Sequence, residues 1–179
     1  LESKDERLKQ EAQQRQKTAF RDARHWLERS LFLKPDFIPA RYDLAALEER
    51  EGKRKDAIRG LEQVLKCDKL NLRVMAELGM LYAQEEQFEL AAQTLERFLE
   101  QKPDTPLIRW YLALVYERLN RIDDAIVQLR FVLNQSPKDE QAQERLRILQ
   151  RAKAAALIPA PPLTPTSTVT TTRAHSVKK

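Results

Sequence analysis

Apolar side chains recur along this chain at helical spacing, in stripes separated by short polar breaks. In one pair of stripes, Val74, Leu78, Leu81 and Tyr82 lie on one side of Gln84-Glu85-Glu86-Gln87, and Phe88, Ala91, Leu95, Phe98 and Leu99 lie on the other. That pattern predicts two helices joined by a tight turn and facing each other through their apolar sides. Similar breaks at Glu51-Gly52-Lys53 and Leu119-Asn120-Arg121 predict two further hairpins, and Gly52 and Asn120 accept the positive φ that often ends a helix. Asn71, Thr105 and Asp139 stand where each could cap the next helix, and Pro106 suits a first helical turn.

The stripes repeat. Ala23, Ala57, Ala91 and Ala125 are each separated by 34 residues, and the same step carries three leucine columns. These are Leu27, Leu61, Leu95 and Leu129; Leu31, Leu65, Leu99 and Leu133; and Leu44, Leu78, Leu112 and Leu146. Small residues Ala45, Gly79 and Ala113 directly follow the third column, Tyr82 and Tyr116 share another, and Pro35, Lys69, Pro103 and Pro137 form the last. Small residues in both helices of a hairpin let the backbones approach, and the leucines fill the space around them. One hairpin cannot enclose its own stripe, so neighbouring units must stack.

At these columns the sequence resembles the tetratricopeptide repeat family, whose pattern sets a leucine and a small residue in a first helix, an alanine in the second and a proline after it. Three complete units match, at 38–71, 72–105 and 106–139, with departures at Lys69 in the proline column and Glu48 in the tyrosine column. The resemblance implies an all-α, right-handed superhelical solenoid of antiparallel hairpins. A capping helix is expected at 140–157, where Leu146 and Leu149 continue the apolar columns. Residues 20–37 read as the second helix of a partial unit. Residues 1–19 read as a polar helix leaving the stack or as a degenerate first helix, because Gln10, Glu11 and Gln14 stand in the leucine, small and tyrosine columns. Residues 158–179, rich in Pro and Thr, are expected to be disordered and to act as a spacer in preference to a polyproline ligand.

Composition agrees with an all-helical reading: three glycines, one cysteine and few β-branched runs in 179 residues. Lone Cys67 excludes an internal disulfide framework, and an idle or packed thiol is favoured over a nucleophile. The net charge of +5 comes from 32 basic and 27 acidic residues mixed along every helix, the pattern of a solvated surface. No stretch approaches the roughly 18 apolar residues of a membrane span. The sequence begins at Leu1 without methionine, so a fragment or processed form is expected, with an upstream anchor left open along with the compartment.

Little here suggests catalysis. His25 and His175 are far apart, no glycine-rich phosphate loop exists, and pairs such as Glu85-Glu86 or Asp123-Asp124 are ordinary helix-surface and turn chemistry. No enzyme activity, metal or cofactor is expected. The expected function is a protein-protein scaffold or adaptor that binds a partner's peptide or helix. The alternatives are self-assembly through the N-terminal helix, or the adaptor portion of a larger enzyme or membrane-anchored complex. RNA binding ranks low despite a pI near 9.4, because the candidate surface mixes both charge signs.

The resemblance also implies where the partner binds. Carried onto this chain, the family's concave positions are Tyr42, Asp43, Glu49 and Arg50; Arg73, Glu77, Met80 and Gln84; and Leu107, Trp110, Tyr111, Leu114, Glu117 and Arg118, with Glu144, Arg145 and Ile148 extending the strip. Tyr42 is expected to be exposed, while Trp110 and Tyr111 are divided between exposure and packing. The family's carboxylate clamp is absent, its positions being filled by Tyr42, Ala46, Glu77, Leu107 and Tyr111. A partner held through its side chains, in an extended or helical segment, is therefore expected.

Overall fold

The computed structural model describes residues 4–156, and every regular element among them is a helix. In chain order these are α1 (Lys4–Leu33), α2 (Ile38–Arg50), α3 (Arg54–Cys67), α4 (Leu72–Gln84), α5 (Phe88–Gln101), α6 (Pro106–Arg118), α7 (Ile122–Gln135) and α8 (Glu140–Ala156). Helices α2/α3, α4/α5 and α6/α7 form the three hairpins, and each second helix packs on the first helix of the next unit. α4 also touches α6 directly, whereas no second helix packs comparably on another. First helices therefore line the inside of the curve and second helices its outside.

Each hairpin turns in the same way. Lys53, Gln87 and Arg121 donate their backbone N–H to the carbonyls of Glu48, Tyr82 and Tyr116, all at 2.8 Å. The residues just before them, Gly52, Glu86 and Asn120, take φ of 78°, 59° and 57°. This is a Schellman ending, which satisfies carbonyls otherwise orphaned at a helix end. The left-handed position of Glu86 has no signal in its residue type. The three capping candidates divide. Asn71 accepts from the N–H of Val74 at 3.1 Å, and Asp139 accepts from that of Ala142 at 3.0 Å. Thr105 does not cap: its hydroxyl donates back to the carbonyl of Lys102 at 3.1 Å.

The core runs continuously from Ala45 to Leu149 along the repeat columns. Ala57, Ala91 and Ala125 are each 0% exposed, so these alanines sit where helices approach most closely. At Gly79 the approach is tighter still, because a Cβ there would meet Leu95 Cγ at 2.7 Å. Fully enclosed leucines such as Leu95, Leu112 and Leu129 each contribute about 1.5–3 kcal/mol by leaving water.

Neighbouring units are tied by a repeated polar bond. Tyr82 donates its hydroxyl to Glu62 at 2.7 Å, and Tyr116 donates to Glu96 at 2.6 Å. Glu48 occupies the same column one unit earlier. There Arg24 of α1 reaches across, at 3.5 Å from Glu48 and 2.8 Å from Glu51. The departure at Glu48 thus exchanges a tyrosine bond for an ion pair between the equivalent elements of the first unit, α1 and α2.

The chain ends its stack differently on the two sides. α8 covers α7, buries Ala142 and Leu149, and ends at Ala156, so Leu157 and the 158–179 tail lie outside the described residues. On the other side, α1 crosses from 1–19 into 20–37 without a break and does not fold back as a first helix. Ala23 is consequently exposed, unlike every other alanine of its column. Trp26, Phe32 and Leu33 on the same helix are 66%, 86% and 74% exposed.

Candidate functional site

The sequence-derived strip lies on the inner helices α2, α4, α6 and α8, and none of its residues is buried. It separates into two regions with different chemistry.

At the N-terminal end the structure gathers Tyr42, Arg73 and Glu77. Tyr42 donates its hydroxyl to Glu77, the Arg73 guanidinium lies 4.3 Å from the centre of the Tyr42 ring, and Arg73 Nε is 3.4 Å from Glu77 Oε1. Tyr42 is thus half-buried and tied down, contrary to the expectation that it would stand exposed. The cause is the stacking of units, which brings Tyr42 of α2 within reach of Glu77 of α4. Burial, and then the bond to Glu77, push its hydroxyl up to about 12, so it stays a neutral donor near neutral pH. Asp43, Glu49, Arg50 and Gln84 are exposed along α2 and α4, and Met80 is half-buried.

The C-terminal end is more apolar. Leu107 is 59% exposed and Ile148 is 46% exposed. Trp110 and Tyr111 are half-buried against the core, and Leu114 is similarly half-buried. Trp110 borders a hollow of about 750 Å³ whose other walls come from α8, including Glu144, Arg145 and Ile148. Arg145 donates to Glu117 at 2.8 Å across α6 and α8, which fixes both charges at the hollow's edge. Arg118 stands apart: its guanidinium lies 4.6 Å from the Phe88 ring and 3.7 Å from Glu86. The structure therefore brings together two subsets of the strip rather than one uniform surface.

The remaining chemistry is sparse. His25 is exposed and meets the Trp26 ring edge-on at 5.4 Å, and Cys67 is an exposed free thiol. No group of three or more His, Cys, Asp or Glu side chains among the described residues is placed to hold a metal ion. No described helix is long and apolar enough to cross a membrane.

Sequence reasoning missed the open face of α1. The signal was available in the columns: Trp26 aligns with Gly60, Thr94 and Gln128, positions that face a hairpin's own first helix, and no leucine-small pair precedes it to supply that helix.

With this geometry in hand, comparison with known proteins gives a consistent result. Residues 82–147 match the family model described as tetratricopeptide repeat. No curated protein matches the sequence significantly. Among solved structures, a crystal structure of MamA is similar over 79% of this chain and 83% of its own, with 20% identity and a TM-score of 0.70. YrrB, described as having an unusual peptide-binding site, is similar over 76% of this chain and 71% of its own, with 20% identity and a TM-score of 0.71. The first such domain of Spaghetti (RPAP3), solved with the HSP90 peptide SRMEEVD, is similar over 65% of this chain and 93% of its own, with 16% identity and a TM-score of 0.60.

Proposed function

We propose that this chain, whose residues 82–147 match the tetratricopeptide repeat model, is an interaction scaffold that holds a peptide or helix of a partner protein in the groove of its first helices. The observation carrying this reading is the accessible apolar patch of Leu107, Trp110 and Ile148 on the inner side, bordered by the fixed Arg145–Glu117 pair. Aromatic and arginine side chains in such settings dominate binding energy. The peptide complex of the RPAP3 domain and the site reported for YrrB support the general mode. In this chain the Glu77 carboxylate faces the groove, which disfavours a partner's terminal carboxylate and supports recognition through side chains.

Leu107→Glu combined with Trp110→Ala tests the groove. The variant should retain helical circular dichroism and lose a partner that wild type captures from extract and cross-links at the inner face. Retained capture by the folded variant would move the site elsewhere.

The exposed Trp26, Phe32 and Leu33 favour a second reading, in which α1 also serves self-association. Light scattering of the wild-type chain and of Trp26→Ser/Phe32→Ser decides it, with a dimer in the former and a monomer in the latter expected. A monomer in both cases counts against it.

A further inference from the structure

Between successive second helices the repeat places equivalent positions on the outer surface, and these can be compared one by one. Between α3 and α5 the floor is Leu78 and Tyr82, and Leu65 and Leu90 form the walls. Lys66, Lys69 and Arg97 line the same crevice, which encloses about 540 Å³. None of these three cations forms an ion pair with an acidic side chain among the described residues. The acid lining the crevice, Glu62, already accepts the Tyr82 hydroxyl, and Leu90 is 43% exposed at the mouth.

One repeat further along, the same positions are filled or neutralised. Glu100, Pro103 and Phe131 replace Lys66, Lys69 and Arg97, and Asp124 replaces Leu90. Arg121 lies 4.1 Å from the Tyr116 ring and donates to Asp124 at 2.7 Å, which closes that mouth. One repeat earlier the crevice holds Glu48 and Asp56, and Arg59 is paired with Asp56. Of the three equivalent places, the middle one combines an apolar floor with cations that have no acidic partner among the described residues.

We propose that this middle crevice is a second docking site, separate from the inner groove, for an acidic peptide segment carrying one large apolar side chain. The apolar residue enters over Leu78 and Tyr82, and flanking carboxylates meet Lys66, Lys69 and Arg97. The floor decides for a peptide over a bare anion, because a phosphate gains nothing from Leu65 and Leu90. Lys69 stands where the column otherwise holds proline, so this site accounts for a departure that the stacking of units leaves unused.

The probe is the peptide Asp-Glu-Phe-Glu-Asp titrated into isotopically labelled protein, read by amide shifts. Saturable shifts at Leu65, Leu90 and Gln93 are expected, with affinity falling about tenfold in Lys66→Glu/Lys69→Glu. Leu107→Glu, in the inner groove, should leave that affinity unchanged. Equal binding of a peptide with alanine in place of phenylalanine, or equal displacement by inorganic phosphate, would show a simple charge patch and overturn the proposal. So would shifts confined to the inner groove, shifts at the crevice that track protein concentration without peptide, or none up to about 1 mM peptide.

Discussion

Glu86 holds a left-handed backbone, φ 59°, at a position where the first hairpin has Gly52 and the third has Asn120. A side chain with a Cβ is disfavoured there by roughly 1–2 kcal/mol, and glycine is not. The only compensation visible is the exposed pair with Arg118 at 3.7 Å, which is worth little. Glu86→Gly should therefore stabilise the fold by about 0.5–1 kcal/mol, since part of the relief is offset by the extra freedom of glycine in the unfolded chain. Gly52→Ala should cost a similar amount, although open space surrounds its would-be Cβ. Urea midpoints at constant slope measure both. A destabilised Glu86→Gly would mean that the Schellman geometry is not what limits this turn.

The bonds between elements make stability fall at alkaline pH. Tyr82 and Tyr116 have hydroxyls raised above the usual tyrosine value, chiefly by burial and then by Glu62 and Glu96, and Tyr42 is raised to about 12. A folded-state value above the unfolded one means that the native chain holds protons longer. The associated stability is complete below about pH 10 and drains away as pH rises from there towards the folded values. Urea midpoints should accordingly be level near neutrality and decline above about pH 10. Tyr82→Phe with Tyr116→Phe should flatten that decline while costing about 1 kcal/mol per hydroxyl at neutral pH. An unchanged alkaline limb would show that these hydroxyls do not sense folding. The hairpins themselves were legible because each depends on columns of leucine and alanine spaced by a constant step. The ion pair of Arg24 with Glu48, the free hydroxyl cap expected of Thr105 and the restraint on Tyr42 were not, because each depends on a partner in another helix or on a competing acceptor. The basic crevice was hidden for the same reason: Lys66 and Arg97 belong to different repeats and meet only after stacking.

The whole molecule is a line of units in which each touches only its neighbours, so protection from solvent should follow position along that line. The middle unit is covered on both sides. At the start of the described chain, every residue from Lys4 to Ala19 is exposed, although all are helical. A helix of that length with no packed face is marginal in water, because nucleation is costly and tertiary burial supplies most helical stability. Hydrogen exchange should therefore be fast at residues 4–19, intermediate in the rest of α1 and in α8, and slowest in α4 to α6, where it approaches global unfolding. The gradient also bears on assembly. If the amides of α1, those of 20–33 included, exchange as fast at high protein concentration as at low, α1 is a free extension, and its apolar Trp26 face is not sealed by a second copy. Slowing of those amides with concentration, while α5 is unaffected, would place the contact on α1 itself. Uniform protection from α1 to α8 would contradict the linear stack, because a helix without packed neighbours would then be as stable as one enclosed on both sides.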